Sequence, residues 1–136
     1  MVKVIMGVKG SGKTKQLIEL VKKAVDEEHG AVVCIENTST LTYDIPYTVR
    51  LIEAAQYGFT NYEFFKGFIS GLHAGNYDIT HIFIDSLFKI IDVQLDASTE
   101  EFLGWCETFS NRENVKFTIM ISADTALATD NIKKFF

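Results

Sequence analysis

The residues best suited to chemistry form one short segment near the amino terminus. Residues 7–14 read Gly7-Val8-Lys9-Gly10-Ser11-Gly12-Lys13-Thr14, which fits the pattern G-x-x-x-x-G-K-[ST] in full. The three glycines allow the backbone to curl so that successive N–H groups point inward at phosphate oxygens. Lys13 would give a point charge to the β- and γ-phosphates, and the Thr14 hydroxyl would bind Mg²⁺. Residues 7–14, called the glycine loop below, therefore predict a phosphate site, the alternative being a glycine turn that holds no ligand.

A carboxylate that could share the metal ends an apolar run later in the chain. Residues 81–85 read His-Ile-Phe-Ile-Asp, a buried strand with Asp85 at its carboxyl end. An aspartate in that place could hold Mg²⁺ directly or through water. Many strands end in an aspartate that only caps the chain, but the presence of the glycine loop favours the metal role.

Together the two segments resemble the Walker A and Walker B motifs of the P-loop NTPase superfamily. The resemblance is specific only at residues 7–14 and 81–85. It implies an α/β fold that binds Mg·ATP, with all eight residues of the glycine loop on the nucleotide and with Thr14 and Asp85 on the metal.

The resemblance also implies where further catalytic groups would lie beside Lys13. Many P-loop ATPases have a glutamate next to the Walker B aspartate, but this chain has Ser86 there. Recombinase-like members place the glutamate after the strand that follows the first helix, which makes Glu36 the candidate general base. Glu36 could instead be a solvated strand-end carboxylate or cap the loop after it. Ser122 lies where related ATPases place a sensor of the γ-phosphate, and it could equally cap the next segment.

The remaining motifs of the superfamily narrow the nucleotide by elimination. Arg50 and Arg112 are the only candidates for an arginine finger, with Arg50 preferred, and either could be an ordinary surface residue. The chain lacks the N-K-x-D and D-x-x-G motifs of GTPases, and Val8 replaces the signature lysine of partition-type ATPases. It also lacks an arginine-rich lid and a zinc-binding cysteine cluster. We therefore expect an adenine nucleotide.

Composition restricts the class of protein. The chain has 136 residues, 47% of them hydrophobic and 23% charged, which predicts a single globular domain over residues 1–136. A formal net charge of −5 argues against nucleic-acid binding. Glycine and lysine interrupt the first ten residues too early for a signal peptide, and no apolar stretch approaches the eighteen residues of a membrane span, so neither is expected. Cys34 and Cys106 read as buried free thiols, and the default compartment is the cytoplasm.

Strands alternate with helices along the chain. We expect buried strands over residues 2–6, 31–35, 82–84 and 115–121, with an extended piece over 47–52. Helices are expected over 13–28 and 129–136, with one more after Asn61 and another after Ser98, the latter carrying Phe102, Cys106 and Phe109. This alternation predicts a three-layer αβα sandwich around a mainly parallel sheet.

Local signals predict how several of these elements begin and end. Gly30 should end the first helix, and Asn61 should cap the Phe-rich helix that carries Phe64, Phe65, Phe68, Ile69 and Leu72 on one face. Ser98 and Glu101 fit a capping box ahead of the following helix. The three histidines show no ligand spacing and predict surface or strand-edge roles. Phe135 and Phe136 should pack on the sheet or on another subunit.

The function predicted from these residues is slow ATP hydrolysis coupled to a protein partner or to self-association. The absent neighbouring glutamate and the scarcity of arginine keep open a second function, a nucleotide-binding regulatory module without catalysis. A small-molecule phosphotransferase is the third alternative, which the short chain makes the weakest.

Overall fold

The computed structural model describes residues 1–136 and contains five strands and five α-helices. The strands are β1 (Val2–Gly7), β2 (Ala31–Glu36), β3 (Arg50–Glu53), β4 (Ile79–Ile84) and β5 (Lys116–Ser122). The helices are α1 (Lys13–Glu27), α2 (Tyr62–Gly75), α3 (Leu87–Ile90), α4 (Ala97–Glu113) and α5 (Asp130–Lys133). All the strands are parallel, in the order β1-β5-β4-β2-β3, which confirms the predicted α/β class.

Two apolar clusters cover the two faces of this sheet. In β2, Val32 and Cys34 belong to the cluster that contains Leu17 of α1, whereas Val33 and Ile35 belong to the cluster formed with α2 and α4. Successive side chains of a strand point to opposite faces, so a strand covered on both sides must be apolar throughout. Each isoleucine or valine buried in this way stabilises the fold by about 1.5–3 kcal/mol. The result is the predicted three-layer sandwich.

Aromatic residues fill the layer between the sheet, α2 and α4. Phe65 and Phe102 are fully buried with ring centroids 5.7 Å apart, and Tyr62 stacks on Phe102 at 4.8 Å. Phe109 is buried next to Phe117 of β5. These rings are therefore core residues of one helical layer. Phe64 is an exception to the predicted apolar face of α2, because it is 47% exposed.

The outer edge of β1 is partly covered by the end of the chain. The Phe135 carbonyl accepts a hydrogen bond from the Val4 N–H at 2.8 Å, and the Phe135 side chain is buried. This contact satisfies one donor of an edge strand that would otherwise be free to pair. The prediction that Phe135 packs is confirmed, whereas Phe136 is 50% exposed and does not pack in the same way.

Two of the predicted element boundaries are wrong, and one is confirmed. The cap of α4 is Asp96, whose side chain accepts from the Ser98 N–H at 2.9 Å, so Ser98 lies inside the first turn. Helix α1 ends at Glu27 with an extended Glu28 as its cap, and Gly30 does not adopt a positive φ. Asn61 caps α2 as predicted, accepting from the Phe64 N–H at 2.8 Å.

Gly30 is required for a close contact rather than for ending a helix. The Asp78 carbonyl oxygen occupies the space that a Cβ at residue 30 would need, and the Thr80 side chain approaches the same space. The same carbonyl accepts from the Ala31 N–H at 2.7 Å, so β2 and the segment before β4 are held together here. Cys34 and Cys106 are buried free thiols, as predicted. None of the helices combines the length with the apolar character that a membrane span requires.

Candidate functional site

The candidate site is a polar cleft of about 370 Å³ at the carboxyl edge of the sheet. The register of the strands brings its parts together, since Gly7 at the end of β1 pairs with Ser122 at the end of β5. No apolar side chain lines the cleft. Its lining residues are Lys9, Gly10, Gly12, Lys13, Thr14, Asp85, Ser86, Lys89 and Ser122.

The glycine loop joins β1 directly to α1. Gly10 and Gly12 both have φ of +86°, a conformation that side chains strongly disfavour, so these two positions require glycine. Gly12 is the residue before α1, and it has no side chain to cap the first N–H groups of that helix. These donors and the positive end of a 15-residue helix are therefore available at the cleft.

Lys13 begins α1, and its side chain folds back over the loop. Its Nζ donates to the Val8 carbonyl oxygen at 2.8 Å and lies 3.4 Å from Ser11 Oγ. Burial lowers the pKa of Lys13 and Lys89 lowers it further, while the charge of Asp85 opposes both. The ammonium group thus has a neutral oxygen as its partner and no carboxylate in an ion pair.

Asp85 follows β4 at a sharp change in chain direction. Its N–H donates to the Ile35 carbonyl oxygen of β2 at 2.8 Å, which fixes the backbone beside the sheet. Burial raises the pKa of the Asp85 carboxyl, and the Ser86 hydroxyl, at 3.3 Å from Oδ1, acts in the opposite direction together with Lys89 and Lys13. A cation in the cleft would stabilise the ionised form of this carboxylate, because Coulomb attraction opposes the burial penalty.

Ser86 and Lys89 were missed as site residues by the sequence analysis, which considered Ser86 only as the replacement for a glutamate. Ser86 has φ of +55° and ψ of +64°, a left-handed conformation that is uncommon for any residue other than glycine. The backbone then turns into α3, where Leu87 and Ile90 are buried, as is Ile91 directly after the helix, and Lys89 is exposed to the cleft. The spacing of those three apolar residues is the sequence signal that could have placed Lys89 on the open side.

Glu36 lies at the carboxyl end of β2 but does not line the cleft. It is 2% exposed, and it accepts hydrogen bonds from the Leu41 N–H at 3.2 Å and from Thr40 Oγ1 at 3.3 Å. Burial raises its pKa, and these hydrogen bonds partly oppose the rise. The carboxylate therefore caps its own loop, the structural alternative considered above. Its role as general base stays a prediction.

Ser122 lines the cleft, and the cap of the next segment is a different residue. The Asp124 side chain accepts from the Ala126 N–H at 2.9 Å at the start of a short 3₁₀ helix, so Asp124 is the cap. Ser122 thus remains the candidate for contact with a ligand.

Neither arginine reaches the cleft. Arg50 lies in β3 at the opposite edge of the sheet from β1, next to a separate hollow. Arg112 lies in the last turn of α4, where Nε donates to Glu113 Oε1 at 2.9 Å and the guanidinium lies over Phe109. The cationic groups of the cleft are lysines alone.

A second cleft, of about 410 Å³, lies at the amino edge of the sheet. Lys116 Nζ pairs there with Glu28 Oε2 at 2.7 Å. His81 of β4 lies close by, 8% exposed, with Nε2 2.9 Å from Thr118 Oγ1 and its ring 4.1 Å from that of Phe83. Burial lowers the pKa of His81 to about 4. His81 is therefore a buried core histidine rather than the surface or strand-edge residue that was predicted.

Comparison with protein-family models and with curated proteins identified no relative of this chain. No protein-family model matches the chain, and no curated protein is significantly similar to it. The functional argument therefore depends on the geometry and the charges of the cleft at the carboxyl edge.

Proposed function

We propose that this protein binds Mg·ATP in the cleft at the carboxyl edge, as a P-loop NTPase. The observation that carries the proposal is the charge of the cleft. Three lysines and one aspartate line it, in a chain whose formal net charge is −5. Such a concentration of cations around a glycine loop suits a polyphosphate better than any other common ligand.

The residues of the glycine loop would bind the phosphates in two ways. The N–H groups at Gly10, Gly12 and the first turn of α1 would donate to phosphate oxygens. The helix N–H groups are available because the cap residue, Gly12, has no side chain that could accept from them. Lys13 would exchange the Val8 carbonyl oxygen for a phosphate oxygen, which is charged and therefore the stronger partner. With no apolar residue in the cleft, the base would lie outside it.

The donor set of the cleft also fits a magnesium ion. Thr14 contributes a hydroxyl oxygen and Asp85 a carboxylate oxygen, and Mg²⁺ is usually held by one or two such groups together with phosphates and water. When bound, the metal would neutralise charge that develops on the phosphates. Asp85 would hold it from a fixed backbone, and Ser122 would contact the terminal phosphate from the neighbouring strand end.

Slow hydrolysis with Glu36 as the general base is the activity we propose for this site. Replacing Glu36 with glutamine keeps an oxygen that can accept from the Leu41 N–H, so the loop should stay capped while the base is lost. In single-turnover assays with γ-labelled ATP and excess protein, we expect phosphate release from the wild type and none from Glu36→Gln, at unchanged ATP affinity. Glu28→Gln, at the amino edge, is the matched control and should hydrolyse ATP like the wild type. Unchanged turnover in Glu36→Gln would exclude Glu36 as the base.

A nucleotide-binding module without catalysis is the second candidate function, and one observation favours it. Glu36 already accepts hydrogen bonds from Leu41 and Thr40 and lies outside the cleft lining. The same assay separates the two functions, because a module of this kind would keep labelled ATP intact over the full time course. A protein partner or a second copy of the chain would then bind selectively to the nucleotide-bound form. Measuring the mass in solution with and without ATP tests self-association.

A further inference from the structure

The segment after Asp85 gives the cleft a lysine in addition to the lysines of the glycine loop. We infer that Lys89 is a specificity-determining residue that contacts the terminal phosphate of a bound nucleoside triphosphate and so favours triphosphate over diphosphate. This inference rests on the proposed function, since it assigns one more contact to the same cleft. It concerns a residue outside both sequence motifs.

The backbone under Lys89 is fixed by buried neighbours. Leu87 and Ile91 are fully buried and Ile90 is 6% exposed, so the short helix α3 cannot rotate without exposing apolar surface. The Lys89 N–H donates to the Ser86 carbonyl oxygen at 2.8 Å, which closes the turn that begins at the left-handed Ser86. The anchored turn therefore fixes the point from which the exposed Lys89 side chain leaves the backbone, and from there the side chain lines the cleft.

The charge of Lys89 is not used elsewhere in the protein. The ion pairs of the structure involve Lys23, Lys66, Lys116, Arg112 and His73, and none of them involves a lysine of the cleft. Lys89 also acts electrostatically on Lys13, which is expected at the phosphates, and on Asp85, which is expected at the metal. Burial is the main cause of the lowered pKa of Lys13 and Lys89 adds to it, and Lys89 opposes the rise in the pKa of Asp85 that burial causes. Lys13, Asp85 and Lys89 all line the same cleft, which is consistent with these mutual effects.

The position of Lys89 also explains how this chain could manage without an arginine in the site. Arg50 and Arg112 lie away from the cleft, so neither can stabilise the terminal phosphate within one chain. An ammonium group presented by the chain's own α3 would supply positive charge from a segment other than the glycine loop, in the same cleft. A diphosphate held by the glycine loop lacks the group that Lys89 would contact.

The test compares two nucleotides across matched variants. Calorimetric titrations with Mg²⁺ would measure the affinities of a non-hydrolysable ATP analogue and of ADP for the wild type, Lys89→Met, Lys89→Arg and Lys22→Met. Lys22 is an exposed lysine of α1 outside every ion pair, so Lys22→Met controls for the loss of one charge. We expect Lys89→Met to lower the affinity for the analogue about tenfold and to change that for ADP less than about twofold. Lys89→Arg should retain the preference, and Lys22→Met should match the wild type.

Three results would overturn the inference, and they differ from one another. An equal loss of affinity for the ATP analogue and for ADP in Lys89→Met would show that Lys89 supports the cleft without contacting the terminal phosphate. Unchanged affinities would show that it makes no contact. A wild type that binds neither nucleotide would overturn the proposed function and this inference with it, whereas the first two results leave the proposed function standing. Thermal unfolding of each variant checks that its fold is intact.

Discussion

The two edges of the sheet carry clefts of nearly equal size and very different chemistry. The cleft at the carboxyl edge has a volume of about 370 Å³ and that at the amino edge about 410 Å³. At the amino edge Lys116 is paired with Glu28 at 2.7 Å, whereas the lysines of the carboxyl edge have no carboxylate partner. Volume therefore does not distinguish the cleft for which we propose a function from the cleft at the amino edge, whereas the state of their charges does.

The two edges also differ in how many of their residues have a positive φ. At the carboxyl edge Gly10, Gly12 and Ser86 adopt positive φ within the cleft, and Ser86 does so as a residue that disfavours it. At the amino edge the one positive φ is that of Asn114, which ends α4 in a common capping conformation. Ser86 is thus the one residue other than glycine whose left-handed conformation does not end a helix, and it lies on the side where we propose that nucleotide binds.

The two edges should also respond to pH in opposite directions. Burial raises the pKa of Asp85 and Glu36 at the carboxyl edge, so these groups favour the folded state when they are protonated at low pH. At the amino edge burial lowers the pKa of His81 to about 4. Burial alone would raise the pKa of Glu28, but the hydrogen bond and charge of Lys116 bring it below its ordinary value. The amino edge should therefore lose stability as the pH falls.

The largest effect is expected from an added methyl group at the amino edge. Gly30→Ala would force Cβ into the Asp78 carbonyl oxygen, which cannot move freely because it accepts from the Ala31 N–H. We expect the free energy of unfolding to fall by about 4 kcal/mol, near the upper end for single substitutions. Gly10→Ala is the matched change at the carboxyl edge, where no atom lies within 4 Å of the new Cβ. It should cost only about 1–2 kcal/mol, from its φ of +86°.

Urea unfolding of both variants measures this difference directly. Equal losses of stability in Gly30→Ala and Gly10→Ala would contradict the contrast between a steric requirement at one edge and a conformational requirement at the other.

The next largest effect is the acid sensitivity that His81 gives to the amino edge. Between pH 6.5 and about 4 the unfolded chain binds a proton that the folded His81 does not, so acidification favours unfolding. The charge of Glu28 opposes the lowering of the pKa, while Lys116 and the amino group of Met1 add to it. We expect the wild type to lose up to about 3 kcal/mol relative to His81→Gln over this interval.

The measurement is urea unfolding of both proteins at several pH values from 7 to 4. His29→Gln removes an exposed histidine that lines the cleft at the amino edge, and this variant should follow the wild type. Parallel pH profiles for the wild type and His81→Gln would show that His81 is not the group responsible.

The third prediction compares the loss of one lysine from each cleft, Lys13 at the carboxyl edge and Lys116 at the amino edge. Lys13→Met should weaken ATP binding about 30-fold, because a charged hydrogen bond of this kind contributes about 2 kcal/mol. Lys116→Met should leave ATP affinity unchanged and lower stability instead, since it leaves the Glu28 side chain, only 7% exposed, without its ion pair. Nucleotide titration and thermal unfolding of both variants give the two readouts. Loss of ATP affinity in Lys116→Met would instead indicate that nucleotide binds at the amino edge of the sheet, and it would contradict the proposed site.

These contrasts show which features could be predicted from the sequence. The buried runs over residues 31–35 and 115–121 predicted parallel strands correctly, because strands covered on both faces must be apolar throughout. The glycine loop, Asp85 and Ser122 could be placed at one edge because parallel strands end at the same side. Pattern and topology were sufficient for these features.

The other features could not be predicted, because they depend on contacts between residues distant in the sequence or on which of two suitable neighbouring residues caps a helix. Gly30 was read as a helix end because the Asp78 carbonyl beside it comes from a segment 48 residues later. Asp96 and Ser98 are both good capping residues, and the pattern with Glu101 favoured the wrong one. The spacing of Leu87, Ile90 and Ile91 is a signal for the exposed side of Lys89, but the left-handed conformation of Ser86, where the chain turns into α3, cannot be predicted from a serine. The bonds of Glu36 depend on the path of the loop at Leu41.

The smallest effect tests whether the strain at Ser86 belongs to the site. Ser86→Gly removes a left-handed side-chain conflict at the cost of a more flexible unfolded chain, so we expect the free energy of unfolding to rise by about 0.5–1 kcal/mol. Asn114→Gly, the matched change at the amino edge, should gain less because asparagine tolerates this conformation well. Ser86→Gly should also loosen the turn that holds Lys89 and lower ATP affinity about threefold, while Asn114→Gly should not. A gain in stability with full ATP affinity would show that the strain is incidental to binding, and that the cleft needs the charge of Lys89 without the rigid turn beneath it.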